Sequence, residues 1–408
     1  MNAPLKAPKA TPVAAERPLR VLHLIDNLGM GGAEAWLIEL LRHWREAGGL
    51  VQTDVLATGG RPGMLDDEAM ALGATIHYLP FGRRSLPAFA RGFRRILREG
   101  GYDALHDHQD HASGWHYLMG SALLPPVRVT HVHNPAYQIR NNYGVTLSRR
   151  LAGRFGKQLV ARYATHIVGT SREAITAFGF DDPAFGRTPK AALYCGLDPA
   201  QFLPSAGARA SVRAEFGWPE DAKVILFAGR FDLSPDFDHP QNHKNSGFAV
   251  DVAILCAQAD PRARFIFAGP FSPATPILRQ RIEAAGLGDR IAFAGVRRDV
   301  GRLMAGADAL FFPSRQEGLG MVAVEAQAAG LPVLASTGVP RECVVVPELV
   351  TFLELSAGPA AWRDRLVAIA SAPRADQLAA NARVAASPFA IAHSAERLAE
   401  LYRSGAGA

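Results

Sequence analysis

The stretch EGLGMVAVEAQAAGLPVLA sets two carboxylates, Glu317 and Glu325, eight residues apart around Gly318, Leu319 and Gly320. The two glycines let backbone N–H groups approach a ligand with no side chain in the way. A helix predicted to begin near Met321 adds the unpaired N–H groups of its first turn, an anion site. Carboxylates beside an anion site suit a ligand that has both hydroxyls and phosphates. Its hydroxyls need acceptors and its phosphates need donors, and a nucleotide sugar presents both. A second group of reactive side chains is imidazole-rich. VTHVHN carries His131 and His133 at the end of a predicted strand, and LHDHQDHASGWH carries His106, His108, His111 and His116 with Asp107 and Asp110. Side chains two apart on a strand share a face, so His131 and His133 are predicted to point together into a cleft.

These residues need elements to position them. RVLHLID reads as a buried strand, followed by the loop Asn27 to Gly32 and a helix from about Ala33 to Ala47. VQTDVLAT, ATIHYLP, DALHDH, VRVTHVH and HIVGTS follow as short β-rich runs with helical patterns between them, which predicts βαβ units and a parallel sheet. The alternation lapses over 196–221, rich in Pro, Gly and Ala, and a linker is placed there, near residue 200. It resumes with KVILFAG, RFIFAG, RIAFAG, ALFFPS and PVLAS. These strands end in Gly or Ser, as where loops hold a ligand at the carboxyl edge of a sheet. AHSAERLAELYRS closes the chain as an amphipathic helix.

At this point the chain resembles glycosyltransferase family 4, closest to its exopolysaccharide and capsule-type members. The resemblance rests on the Glu-x7-Glu spacing with a strand before it and GLPVLA after it, and covers nearly everything after residue 19. It implies an α/β protein of the GT-B fold, with two Rossmann-like domains facing each other across a cleft and a C-terminal helix returning to the first domain. The implied boundaries are a disordered leader 1–19, an acceptor-side domain 20–200, a donor-binding domain 201–385 and a crossover helix 386–408. Glu317 would contact the transferred sugar and Glu325 the ribose hydroxyls. Arg230 in FAGR and Lys244 in HKN would hold the donor diphosphate, although the intervening FDLSPDFDHPQNH is longer than is usual in the family. Gly31 and Gly32 match a Gly-Gly-x-Glu loop that approaches the donor, and His133, followed by Asn134, matches a histidine on the sugar. His108 falls in a His-x-His that precedes Ser-Gly, an acceptor- or sugar-side position, and His131 is grouped with it.

The implied reaction is retaining transfer of a sugar from a UDP- or GDP-sugar to a glycan or polyprenyl-linked acceptor in cell-surface polysaccharide synthesis. No metal and no cofactor are expected, since two cations and a helix end would serve a departing diphosphate. The rivals are another GT-B enzyme, a nucleotide-sugar epimerase or phosphorylase, and a silent nucleotide-sugar-binding subunit.

Bulk properties fit. At 408 residues, 48% hydrophobic and 20% charged, the chain has the length for two cores and is not disordered in composition. Its first 20 residues lack the apolar stretch of a signal peptide, no run approaches a membrane span, and the three cysteines have no metal-ligand or disulfide spacing. A cytoplasmic protein is expected. The net charge of +6 lies in the first half, where residues 1–200 hold 23 Lys and Arg against 17 Asp and Glu. It concentrates at Arg83, Arg84, Arg91, Arg94, Arg95 and Arg98, and again at Arg140, Arg149, Arg150, Arg154, Lys157 and Arg162. Such a patch suits an anionic membrane surface, an anionic substrate or a solvated helix face. In SLPAFARGFRRILREG, Leu86, Phe89, Phe93 and Leu97 fall near one helix face, a pattern that fits an interfacial membrane helix or an ordinary core contact. Nucleic acid is not an expected partner.

Overall fold

The computed structural model describes residues 17–133, 146–186 and 188–404. Most of the predicted leader, together with Asn134 and Arg140, lies outside the described residues.

Two parallel sheets organise the chain. The first contains β1 (Leu19–Ile25), β2 (Val51–Ala57), β3 (Thr75–Tyr78), β4 (Ala104–Asp107), β5 (Val127–Val132), β6 (His166–Gly169) and β7 (Lys190–Ala192), in the order β3-β2-β1-β4-β5-β6-β7. The second contains β8 (Lys223–Ala228), β9 (Ala263–Ala268), β10 (Ile291–Gly295), β11 (Ala309–Phe312), β12 (Val333–Ser336) and β13 (Val350–Leu353), in the order β10-β9-β8-β11-β12-β13. Helices cover both faces, which is why strands such as KVILFA and ALFF are almost continuously apolar. Phe265, Phe267, Phe311 and Trp362 fill one side of the second sheet, and Leu226, Leu310 and Val333 the other.

Strand order reverses between β1 and β4 in the first sheet and between β8 and β11 in the second. A crevice opens at such a reversal, at the carboxyl ends of the strands. The loops leaving these four strands, together with the end of β5, carry the site.

Two expectations change. The segment 196–221 is not all linker, because Ala208–Glu215 is a helix of the second unit. It is fixed there by the buried Arg213, whose guanidinium meets Asp308 at 2.7 Å and donates to the Ala222 carbonyl. The helix Leu86–Gly100 does not present its apolar face outward. Phe89, Phe93 and Leu97 lie in the core of the first sheet and only Leu86 is half-exposed, so the stripe is a packing face. A different helix, Leu147–Tyr163, carries exposed Leu147, Leu151 and Phe155 at successive four-residue steps. No described helix is long and apolar enough to cross a membrane.

The terminal helix, Ile391–Arg403, returns to the first sheet, as expected. It packs on the helix Gly32–Glu46 through Leu398 and Tyr402, and Trp36 Nε1 donates to Ser394 Oγ at 3.3 Å. Cys195, Cys256 and Cys343 are free and buried.

Candidate active site

A cleft of about 2230 Å³ runs between the two sheets. That exceeds the ~300–1,000 Å³ typical of a single small-ligand pocket and leaves room for two substrates. Arg230, Lys244, Glu317, Gly318, Leu319, Gly320 and Glu325 line one wall, and Gly31, Gly32, His108 and His133 line the other.

The first wall begins after β8 and β11. Lys244 Nζ reaches Glu317 Oε1 at 2.7 Å and sits 5.5 Å above the Phe312 ring. The long loop between Arg230 and Lys244 therefore does not displace the lysine. Asn242 closes the loop by accepting from Ser234 N–H and donating to the carbonyls of Ser234 and Asp236. The Asp232 carboxylate accepts the N–H groups of Asn245 and Gly247 at 3.0 and 3.3 Å. Each bond turns the insertion back on itself, so the extra length bulges outward and Lys244 stays at the cleft.

The helix Met321–Ala328 starts behind Gly320, whose φ of 89° is left-handed. A Cβ there would be strained and would press on Val339 and Phe312. Gly318 has a different reason to lack a side chain: a Cβ would stand 2.5 Å from the His133 carbonyl across the cleft. Glu325 lies within that helix, and burial pushes its carboxyl up to about 7, opposed by nearby Lys244. The two glutamates thus differ. Glu317 is ion-paired to Lys244, whereas burial makes the Glu325 carboxyl hold its proton more tightly than an ordinary carboxylate.

Contacts across the base of the cleft hold the walls together. Ser171 caps its own helix by accepting Ala174 N–H at 2.9 Å, and its hydroxyl donates to the Gly318 carbonyl at 2.6 Å. Glu342 accepts from the N–H groups of Arg172 and Glu173 and from Tyr194 Oη.

The opposite wall is imidazole. His108 and His133 border the cleft, but His131 does not. It is fully buried beneath His133, ring centroids 4.0 Å apart. The expectation that both histidines of VTHVH reach the cleft is therefore corrected: His131 lies within β5 and points into the layer below, whereas His133 lies past the strand end. Asp110 joins this wall. It has a left-handed φ of 50°, accepts His133 N–H at 3.2 Å, and burial raises its carboxyl to about 8. The sequence singled out Asp110 only as one of several polar residues in its loop. His23, Trp36 and Tyr402, which also pack into this wall, gave no local signal because their neighbours are distant in sequence.

Among the described residues, two histidine triplets come close enough to suggest metal ligation: His23, His106 and His108, and His108, His131 and His133. Their geometry favours hydrogen bonds. His23 Nδ1 faces His108 Nε2 at 2.9 Å, and His108 Nδ1 faces His133 Nε2 at 2.8 Å. Nitrogens opposed at that distance have room for a proton between them, whereas a tetrahedral metal about 2.0 Å from each would hold them about 3.3 Å apart.

Comparison with known proteins agrees with this architecture. Residues 31–182 match the glycosyl transferase 4-like domain and residues 222–371 match glycosyl transferases group 1. The putative glycosyltransferase EpsF of Bacillus subtilis (strain 168) is 29% identical over 357 residues, covering 87% of this chain and 88% of that protein. A D-inositol 3-phosphate glycosyltransferase of Corynebacterium efficiens is 30% identical over 338 residues, covering 78% and 75%. Among solved structures, Anabaena HepE in complex with UDP-glucose superimposes with a TM-score of 0.72 at 20% identity, over 95% of this chain and all of that one. WaaG, a glycosyltransferase involved in lipopolysaccharide biosynthesis, gives 0.65 at 16% identity, over 95% and 97%. With one family match on each side of the cleft and relatives aligned through both, this chain belongs to the group 1, 4-like glycosyltransferases and is a glycosyltransferase of GT-B architecture.

Proposed function

We propose that this enzyme is a retaining glycosyltransferase that takes a sugar from a UDP- or GDP-sugar and passes it to a hydroxyl of a glycan or polyprenyl-linked acceptor in cell-surface polysaccharide synthesis. The observation that carries the reading is the convergence of Arg230, Lys244, Glu317, Glu325 and the N-terminus of Met321–Ala328 on one wall of a cleft that faces His133. Several relatives named as D-inositol 3-phosphate glycosyltransferases and a fold neighbour crystallised with UDP-glucose are consistent with a nucleotide-sugar donor.

In this reading the bond between the sugar's anomeric carbon and the diphosphate oxygen breaks, and the acceptor oxygen bonds to the same carbon from the same face. The acceptor's proton passes to a departing phosphate oxygen. Arg230, Lys244 and the helix N–H groups receive the charge that grows on the diphosphate. Glu325 accepts from the ribose hydroxyls. Glu317 orients the sugar and, before the donor enters, holds Lys244. No carboxylate nucleophile is required, unlike the paired carboxylates of retaining glycosidases. The cations are supplied by the chain, so turnover needs no divalent ion.

We assign the membrane contact of such an acceptor to Leu147–Tyr163 rather than Leu86–Gly100. Leu147, Leu151 and Phe155 are 73%, 60% and 48% exposed, and the neighbouring Arg149, Arg150 and Arg154 have no ion-pair partner among the described residues and border the cleft. Apolar side chains beside arginines suit an anionic bilayer surface.

The test is calorimetry with UDP- and GDP-sugars, followed by NMR of the product's anomeric centre. Retained configuration supports the proposal, and inversion overturns it. Product formed without acceptor points instead to an epimerase. Sedimentation with anionic but not neutral vesicles, lost in Leu151→Glu/Phe155→Glu, supports the membrane assignment; unchanged sedimentation removes it.

A further inference from the structure

Five histidines from three adjacent strands of the first sheet form an ordered array at its carboxyl edge. His106 and His108 stack face to face at 4.3 Å, and His131 and His133 at 4.0 Å. Perpendicular to these stacks run two hydrogen-bonded rows. The inner row joins Tyr402 Oη to His106 Nδ1 at 2.5 Å and His106 Nε2 to His131 Nδ1 at 3.1 Å. The outer row joins His23 Nδ1 to His108 Nε2, and His108 Nδ1 to His133 Nε2. Trp36 lies edge-on to four of the rings.

Burial holds these rings neutral: His23 and His133 are pushed down to about 3, and His106, His108 and His131 well below the ordinary histidine range. A neutral imidazole carries one N–H and one bare nitrogen. Both bonds of the outer row can then form in only two ways. If His108 carries its hydrogen on Nδ1, it donates to His133 Nε2 and accepts from His23 Nδ1, so all three rings are Nδ1–H. If His108 carries it on Nε2, all three rings are Nε2–H. The choice is made at the ends. His23 Nε2 is buried with no hydrogen-bond partner. In the second arrangement it would be a donor hydrogen with nowhere to go, and in the first it is a bare lone pair. Orphaned buried N–H groups are the rarer defect in folded proteins. The first arrangement leaves the other end, His133 Nδ1–H, without a partner among the described residues, on a ring that borders the cleft.

We propose that the His23–His108–His133 row fixes His133 as a neutral imidazole that offers Nδ1–H into the cleft, making His108 and His23 positioning residues for the sugar-facing donor. This rests on the reading of His133 as sugar-facing. It specifies the sugar chemistry accepted there: the group opposite His133 must present an oxygen lone pair, as a hydroxyl or carbonyl does, and an ammonium is refused. The tautomer is set from behind His133, by His108 and the fully buried His23.

The test is a long-range proton–nitrogen correlation spectrum of the full-length protein labelled with ¹⁵N-histidine, assigned with His133→Gln. His133 is expected to show the Nδ1–H pattern at neutral pH. In His108→Phe, which keeps the stack on His106 but has no nitrogen, His133 should revert to the Nε2–H form that free side chains favour in water. Turnover should fall about tenfold while affinity for UDP or GDP stays unchanged. A native His133 in the Nε2–H form overturns the proposal without any variant, and so covers the case in which His108→Phe does not fold. Unchanged turnover in a folded His108→Phe also overturns it. The tautomer is read without substrate, so failure of the donor assignment, seen as no nucleotide-sugar binding, is distinguishable from failure of this inference.

Discussion

The two walls of the cleft solve different problems with different chemistry. The wall proposed to hold the donor is charged and partly wet: Lys244 and Glu317 are 24% and 12% exposed in their ion pair, Arg230 borders the same space, and a helix end adds N–H groups. The histidine layer behind the opposite wall is neutral and buried, packed against Trp36 and Tyr402. In the proposed reaction a departing diphosphate changes its charge, so the groups that meet it must carry charge themselves. A sugar ring stays neutral, and neutral donors locked by packing can orient it with little reorganisation. The contrast predicts that losses on the donor side appear in turnover and nucleotide affinity, and losses deep in the histidine side appear first in stability.

The largest effect is expected for Lys244→Ala. Its charge acts most strongly as the diphosphate departs, so kcat should fall about 10²–10³-fold with a smaller change in sugar-nucleotide affinity. Steady-state kinetics with a matched Kd measurement checks this, and wild-type kinetics would break the assignment of the lysine. Next comes Glu325→Ala, which removes acceptors for the ribose hydroxyls. A hydrogen bond to a charged group contributes about 1.5–3 kcal/mol, so calorimetry should show UDP or GDP affinity weakened by roughly one to two decades.

Glu325 also gives the contrast a pH dependence. Its carboxyl is held at about 7, above the unfolded value, so the folded state binds the proton more tightly. The stability from that proton is present below the unfolded carboxylate pKa and is lost as pH rises through about 7. Denaturation at pH 5 and pH 8 should show Glu325→Gln gaining about 1–3 kcal/mol relative to wild type at the higher pH, with the lower end favoured because the carboxyl meets cleft water. An equal difference at both pH values would mean that Glu325 titrates normally. A smaller effect, about 1–2 kcal/mol of stability, is expected for Tyr402→Phe, which leaves His106 Nδ1 unpaired in the inner row. Its kcat should be nearly unchanged, and a large kcat loss with normal stability would blur the division between the walls. The smallest expected change is that of excess EDTA, which should leave turnover intact; complete loss restored by a divalent ion would show that the donor wall is incomplete without metal.

The two apolar helix patterns carry a related lesson. Leu86, Phe89, Phe93 and Leu97 on one helix and Leu147, Leu151 and Phe155 on another both run at helical spacing beside arginines. Only the neighbours distinguish them. Phe93 lies under the first sheet and is fully buried, whereas Leu151 meets no such layer. Periodicity identifies a face but does not say what covers it.

What the sequence determined by itself is local. The alternation of short β-rich runs with helical patterns specified parallel sheets, and EGLGMVAVE specified a loop and helix with two carboxylates because all of its parts lie within nine residues. Gly320 was legible for the same reason, since its left-handed φ belongs to the turn that starts the helix. Tertiary structure decided the rest. It brought Lys244 to Glu317 across 73 residues and folded the intervening loop outward on Asp232 and Asn242. It took His131 out of the cleft, because β5 continues one residue past the His131 position and turns that ring into the layer beneath His133. It also aligned His23, His106 and Tyr402 from β1, β4 and the last helix, 296 residues separating the final pair. Sequence spacing fixes neighbours along one element, whereas contacts between elements depend on strand order and register, and these are set only when the whole sheet closes on its core.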